Sequence, residues 1–145
     1  MSIALRTVQD VLDHYKTAVY EKDLEQFLAA YASDFHIYDC WNDWACTDSS
    51  QWRSGTKEWF DELTQEGVLL HVEYDDLVVE ENANLAFVRC TVTFAAYNES
   101  NEKLRQISNR FTFGLRKEHD SWAIVHQHSS LPISTDTGQG IFTRK

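Results

Sequence analysis

Hydrophobic residues follow two different periods along the chain. Up to Gly67 they recur at helical spacing, and beyond it they alternate or cluster in β-branched and aromatic runs. Thr7 and Asp23 are suitable caps for two helices, because their short side chains can accept hydrogen bonds from the first turn. A short extended segment is predicted at 35–39, and a third helix over about 56–64.

Four long strands are predicted in the second half of the chain, over 68–80, 85–98, 103–117 and 121–130. Polar, turn-prone residues separate them. Three helices followed by consecutive strands are typical of an α+β fold, in which the N-terminal helices pack on a curved antiparallel sheet. We expect a single domain over residues 1–145, in which residues 132–145 form a C-terminal extension that is ordered only if it docks on the rest.

The two faces of the predicted strands differ in polarity. In 85–98 one face is apolar, whereas the other mixes Phe87 and Arg89 with threonines, and Arg110 lies on the matching mixed face of 103–117. Two interpretations are open at this point. Either the apolar face packs on the helices and the arginines point to water, which the pattern alone favours, or the apolar face meets a second subunit and the mixed face lines a pocket.

The chain carries a formal net charge of −10, which disfavours nucleic acids and anionic membranes as partners. No segment has the length and apolar composition of a membrane span, and the N-terminus lacks the layout of a signal peptide. Three cysteines without metal-like spacing are typical of reduced thiols. We therefore expect a cytoplasmic protein that needs no cofactor and binds neither nucleic acid nor membrane.

Histidines two residues apart on a strand can chelate zinc, and His126 and His128 have this spacing. No third ligand accompanies them at a convincing distance along the chain. Such histidines more often hydrogen-bond within a core or an interface. We therefore expect no metal site.

The segments NRFTFGLRKEHDS (109–121) and WAIVHQHSSLPIS (122–134) resemble the closing strands of SnoaL-like domains, which belong to the nuclear transport factor 2-like superfamily. Within it, LAFVRCT (85–91) and VHQHSS (125–130) are most similar to the association (hub) domain of calcium/calmodulin-dependent protein kinase. The resemblance covers roughly residues 5–134. It is specific for the fold, because this superfamily includes enzymes, binding modules and assembly domains.

The resemblance implies a cone-shaped sheet curled around a pocket, and a homodimer formed through the outer sheet face. It also implies that the mixed face is the inner one, with Arg89 at a pocket position that hub domains occupy with arginine. Arg110 or Thr112 falls at a second such position. Ser129 stands where hub domains have a further arginine, so one positive charge is missing here.

The same comparison orients the last strand. It implies that Gln127 and Ser129 face the cavity. His126 and His128 then lie on the opposite face or at the rim, where a dimer partner could meet them.

Isomerase chemistry of the ketosteroid type would need a carboxylate base inside the cone and a hydrogen-bond donor for the developing oxyanion. Asp39 could be the base and Tyr38 the donor. They are adjacent on an extended segment, so only one can point inward. We assign no catalytic residue.

These observations predict a small-molecule-binding domain whose ligand is partly apolar and carries an anionic or carbonyl group. The candidate ligand-binding residues are Tyr38, Trp41, Trp59, Arg89, Arg110, Gln127, His128 and Ser129. Two alternatives are a non-catalytic association module and a ketosteroid-isomerase-like isomerase or hydratase.

Overall fold

The computed structural model describes residues 4–143. The helices are α1 (Val8–Glu21), α2 (Leu24–Ala29) and α3 (Ser49–Glu66). The strands are β1 (Tyr31–Tyr38), β2 (Leu69–Glu81), β3 (Leu85–Tyr97), β4 (Lys103–Glu118) and β5 (Ser121–Ser130). The predicted α+β class is confirmed, and β2 to β5 lie within one residue of their predicted bounds.

Both predicted helix caps are present. The Thr7 hydroxyl accepts a hydrogen bond from Asp10 N at 3.0 Å, and the Asp10 carboxylate accepts one from Thr7 N at 3.1 Å. This reciprocal pair is a capping box, which satisfies two backbone donors at once. Asp23 caps α2 by accepting a hydrogen bond from Gln26 N at 3.1 Å.

Helix α3 is longer than the predicted 56–64, because it begins at Ser49. Asp48 caps it by accepting a hydrogen bond from Ser50 N at 2.7 Å, and Gly67 ends it in the left-handed conformation with φ 73°. The first two turns are mostly polar, so periodicity did not reveal them. No helix within residues 4–143 has the length and apolar composition that crossing a membrane requires.

The five strands form one curved, unclosed sheet in the order β1-β5-β4-β3-β2. Neighbours from β2 to β5 pair antiparallel, whereas β1 runs parallel to β5 at the edge. Helix α1 packs on β2, β5 and α2. We call the sheet face under the helices the inner face and the opposite one the outer face.

The apolar face of β3 and β4 is the inner face. Val88 is 0% exposed and Phe113 is 1% exposed, whereas Phe87 is 45% exposed. Arg89 and Arg110 are exposed on the outer face. The placement of the mixed face inside the cone, which the resemblance implied, is therefore wrong for these strands. The helices cover the apolar face because packing on it removes more apolar surface from water than packing on the mixed face would.

Strand β5 changes the set of residues that points inward. Trp122 and Ile124 are buried before Val125, and Gln127 and Ser129 are buried after it. A strand with strict alternation cannot point both pairs to one face. Here a β-bulge allows it, because the register with β4 shifts around Val125. Val125 is the extra residue of the bulge, and the residues after it point to the opposite face from the one that alternation would give them. The prediction that Gln127 and Ser129 face the interior is confirmed.

The segment after β5 docks on the sheet. Ile133 pairs with Gly140, and the Phe142 carbonyl accepts a hydrogen bond from Ser108 N at 2.9 Å. The Phe142 ring stacks on Trp41, with ring centroids 5.2 Å apart and planes at 19°. Contacts with β4 and with the loop after β1 thus order the predicted extension up to residue 143; its last two residues lie outside the described part.

We predict that Phe113→Ala lowers the free energy of unfolding by about 3–5 kcal/mol, because it leaves a cavity in the core. The matched change Phe87→Ala, on the outer face, is expected to cost less than about 1 kcal/mol. Urea titration of dilute protein measures both. A larger loss for Phe87→Ala would contradict the assignment of the inner face.

Candidate functional site

Polar side chains interrupt the apolar interior at one place on the inner face. They come from the loop after β1, from β4 and from β5. We call this group the interior polar patch; it consists of Asp39, Cys40, Asn109, Gln127 and Ser129. The three residues from the sheet are almost fully buried, Asn109 being 4% and Ser129 2% exposed. Buried polar groups need hydrogen-bond partners, so their partners define the site.

Ser129 connects the patch. Its hydroxyl accepts a hydrogen bond from Cys40 N at 3.0 Å and donates one to Asp39 Oδ1 at 3.1 Å. Asn109 Nδ2 donates to Cys40 Sγ at 3.5 Å. These contacts fasten the chain leaving β1 to β5 and β4, and they hold the Asp39 carboxyl against the interior.

Gln127 has a structural role in the patch. The Tyr31 hydroxyl donates a hydrogen bond to Gln127 Oε1. Tyr31 also packs edge-on against Trp52 and Phe35 at ring distances of 5.8 and 5.9 Å. The amide of Gln127 is thereby fixed against the start of β1.

Asp39 has a perturbed acidity. Burial is the main cause and raises the pKa of Asp39, while the Ser129 hydroxyl and the backbone amides of Cys40 and Trp41 lower it by a smaller amount. A larger fraction of this carboxyl is therefore protonated than in an exposed aspartate. The protonated form can donate a hydrogen bond, and the ionised form can act as a base.

Tyr15 approaches the patch from α1. Burial raises the pKa of Tyr15, and the nearby Asp39 carboxyl and Cys90 thiol raise it further. Its ring packs on Phe27 and Phe113, with centroids 5.3 and 5.8 Å away. The interior therefore places aromatic rings near a few polar groups.

The thiols of the interior are not activated nucleophiles. Burial raises the pKa of Cys90 to about 11. Burial also raises the pKa of Cys40, and the neighbouring Asp39 charge adds to this. Nucleophilic cysteines need a lowered pKa, so covalent thiol chemistry is not favoured here.

Asn109 carries an unsatisfied group. Its Nδ2 is bonded to Cys40, but its Oδ1 is buried and has no hydrogen-bond partner. A buried acceptor without a partner costs roughly 1–3 kcal/mol. Asn109 lies between Phe111 on its own strand and Val92 on β3, both buried and apolar, so neither of them can donate to it.

Several predicted site residues lie elsewhere. Tyr38 and His128 are exposed on the outer face, and Arg89 and Arg110 are exposed there as well. Since the interior polar patch is on the inner face, these four do not belong to it. Tyr38 and Asp39 point to opposite faces, as their adjacency predicted, and Asp39 is the inner one.

The two predicted tryptophans differ in surroundings. Trp59 is half-buried on α3 and packs on Phe27, Phe60 and Phe94, with centroids 5.1 to 6.4 Å away. It is therefore part of the core wall. Trp41 is exposed and stacks on Phe142 rather than lining the interior.

The outer face carries a cluster of histidines around Tyr38. The Tyr38 ring lies 4.6 Å from His36, 5.5 Å from His126 and 5.3 Å from His128. Burial lowers the pKa of His126, and the neighbouring imidazoles lower it further. Within residues 4–143, no group of three His, Cys, Asp or Glu side chains could hold a metal ion.

The surface of residues 4–143 includes two clefts that are lined by different residues. One of about 220 Å³ lies between α2, β1 and the start of α3 and includes Tyr31, Phe35 and Arg53. Arg53 is engaged there by Glu25 at 2.6 Å. The other, of about 500 Å³, is a shallow groove on the outer face over Gly114, beside Phe87. The interior polar patch belongs to neither.

Sequence reasoning missed Asn109 and Cys40 as members of the interior polar patch, and Tyr31 as the hydrogen-bond partner of Gln127. One signal was available for Asn109, because it is the polar exception in the apolar series that continues with Phe111 and Phe113. Cys40 and Tyr31 had no such signal. Their roles depend on contacts across 89 and 96 residues of sequence.

We predict that Asp39→Asn stabilises the protein at neutral pH. Since the folded-state pKa of Asp39 is raised, the folded chain binds this proton more tightly, and ionisation costs stability as pH rises through that pKa. The difference in Tm between variant and wild type should therefore shrink in acid and vanish below the unfolded-state pKa. Each kcal/mol corresponds to roughly 2–4 °C.

The exposed Asp136 provides the control for this prediction. Asp136→Asn should leave the Tm within error of wild type, because the Asp136 side chain is exposed in the folded protein. A Tm difference for Asp39→Asn that grows toward acid would contradict the assignment.

Comparisons with solved structures agree with this architecture. An NTF2-like protein of unknown function from Pseudomonas putida is similar over 95% of this chain and 93% of its own, with 21% identity and a TM-score of 0.78. A protein named as a calcium/calmodulin-dependent protein kinase II association domain, from Xanthomonas campestris, is similar over 89% of this chain and 92% of its own, with 18% identity and a TM-score of 0.71. At these identities the similarity establishes the fold alone.

A protein with a cystatin-like fold from Caulobacter vibrioides is similar over 89% of both chains, with 14% identity and a TM-score of 0.68. No curated protein sequence matches this chain. The family model of the SnoaL-like domain matches residues 8–134. The protein therefore belongs to the SnoaL-like domain family and has the NTF2-like, cystatin-like fold.

Proposed function

We propose that this domain binds a small, partly apolar molecule with a carbonyl group at the interior polar patch. The observation that carries the proposal is the Asp39 carboxyl, held by Ser129 within an otherwise apolar interior, with a raised pKa. In its protonated form this carboxyl can donate a hydrogen bond to a carbonyl oxygen. The rings of Tyr15 and Phe113 pack edge-on against each other in the same interior.

The charges around the interior polar patch favour a ligand with a neutral carbonyl group over an anionic ligand. Arg89 and Arg110, which were predicted from the sequence as contacts of an anionic ligand, are on the outer face. The interior patch instead contains a carboxyl, and an anion beside it would be repelled whenever Asp39 is ionised. A neutral carbonyl group avoids this repulsion, and the protonated Asp39 carboxyl can donate a hydrogen bond to it.

Isomerase or hydratase chemistry is a further candidate at the same site. It needs a carboxyl of raised pKa that can take and return a proton inside an apolar cavity. Asp39 supplies a carboxyl of raised pKa. Exchange of α-hydrogens of a bound ketone for deuterium, monitored by proton NMR, would distinguish proton transfer from simple binding.

We predict that acetophenone, as a probe, raises the Tm of the wild type and binds in calorimetry. Ser129→Ala should weaken binding by roughly tenfold, because it removes the hydroxyl that holds Asp39 in place. Thr112→Ala, on the outer face of the neighbouring strand, is the matched control and should bind as the wild type does. Equal losses in both variants, or no binding to the wild type, would contradict the proposal.

We also propose that the outer face mediates self-association. Leu85 and Phe87 are 55% and 45% exposed there and border the shallow groove of about 500 Å³. The groove is open because Gly114 has no side chain between Phe87 and His126. Exposed apolar surface of this kind is typical of interaction sites.

Charge on the outer face favours a second copy as the occupant. Glu80 and Glu81 line the groove on β2. Arg89 and Arg110 make no salt bridge within residues 4–143. A two-fold interface brings different parts of the same surface together, so the acidic β2 edge of one copy can meet the arginines of the other.

We predict that the wild type is a dimer in size-exclusion chromatography with light scattering and that Phe87→Glu is a monomer. Burying a carboxylate in an apolar interface is costly, which is the physical reason for dissociation. Trp44→Glu is the control, since Trp44 is exposed in the loop after β1, outside the sheet. A monomeric wild type, or a dimeric Phe87→Glu, would rule out this interface.

The state of the thiols supports a cytoplasmic location. Cys40, Cys46 and Cys90 are all free. Free thiols persist in reducing compartments.

A further inference from the structure

We propose that Asn109 determines ligand specificity at the interior polar patch, its side-chain oxygen Oδ1 accepting a hydrogen bond from a hydroxyl or N–H group of the ligand. This inference rests on the proposed function, and it adds a donor group to the carbonyl compound described above. The ligand class is thereby narrowed to apolar carbonyl compounds that also carry a hydrogen-bond donor.

The first argument is that Asn109 is polar where the strand is otherwise apolar. It is 4% exposed and continues the inward series of Phe111 and Phe113. Val92, its partner on β3, is 0% exposed. An apolar residue would satisfy packing at this position without leaving a polar group unpaired, so packing alone does not account for the amide.

The second argument is that only one end of the amide has a partner. Nδ2 donates to Cys40 Sγ at 3.5 Å, while Oδ1 has none. Rotating the amide by half a turn does not remove the problem. Oδ1 would then face the thiol, and the NH₂ group would be left unpaired in its place. Only the orientation in which Nδ2 donates to Cys40 Sγ leaves the acceptor Oδ1 for a hydrogen-bond donor of the ligand.

The third argument is the position of Asn109 relative to Asp39. Asn109 contacts Cys40, and Ser129 joins Cys40 N to the Asp39 carboxyl. A ligand whose carbonyl meets Asp39 therefore has Asn109 within the same hydrogen-bonded group. One small molecule can reach both if its donor and its carbonyl are separated by a few bonds.

Access to Oδ1 requires a local opening, because the atom is shielded from solvent. Two contacts flank the patch on the solvent side. Trp41, next to Cys40, stacks on Phe142, and the Phe142 carbonyl is bonded to Ser108 N, next to Asn109. Phe142 also lies beyond residue 134, where the match to the family model ends. Separation of this stack would open the loop after β1 over the patch.

The test compares matched probes: acetophenone, its three ring-hydroxylated isomers and the corresponding methoxy compounds. In calorimetry, at least one hydroxy isomer should bind the wild type roughly tenfold more tightly than its methoxy counterpart, since a hydrogen bond to a previously unpaired acceptor is gained. In Asn109→Leu, which is similar in volume, this preference should disappear while acetophenone still binds. Thr112→Ala should keep the preference.

Asn109→Ala serves the same purpose if the leucine variant does not fold, and circular dichroism and Tm establish folding for each. A preference for the hydroxy isomer that persists without the amide would overturn the proposal, and Asp39 would then be the acceptor of the ligand hydroxyl. Equal affinity of hydroxy, methoxy and parent compounds for the wild type would overturn it as well, while the proposed function stands. If no compound binds the wild type, both are wrong.

Discussion

A strand that alternates strictly presents only one set of residues to the core, and the bulge at Val125 lifts that constraint in β5. Before the bulge the strand contributes apolar side chains to the core, and after it the strand contributes Gln127 and Ser129. Ser129 then reaches both Asp39 and Cys40 N. With unbroken alternation the histidines would point inward instead, and the interior polar patch would lose the hydroxyl that connects it.

The two faces of the sheet also differ in charge. A carboxyl of raised pKa lies inside, while Arg89, Arg110 and the histidine cluster lie outside. The interior therefore suits neutral ligands, and the outer face suits an acidic surface. Because the acidic β2 edge belongs to the outer face, the proposed ligand site and the proposed self-association surface involve different residues of one sheet.

The sequence predicted the fold well where local signals were strong. Thr7 and Asp23 are caps in the structure as expected, and the ends of β2 to β5 follow the turn-prone segments between them. It predicted the site less well. Of the proposed ligand contacts, Gln127 and Ser129 belong to the interior patch, whereas Arg89 and Arg110 do not. The error arose because the resemblance to hub domains was used to assign the inner face of β3 and β4 as well as the fold.

By itself, the sequence determined the element types, the split of β3 and β4 into an apolar and a mixed face, and the net charge of −10 that disfavours anionic partners. These depend on neighbours along the chain and on composition. Tertiary structure decided which face the helices cover, which residues of β5 turn inward, and how Asp39 and Asn109 come together. Those outcomes depend on burial of area and on pairing between strands, which link residues far apart in the chain and leave no local pattern.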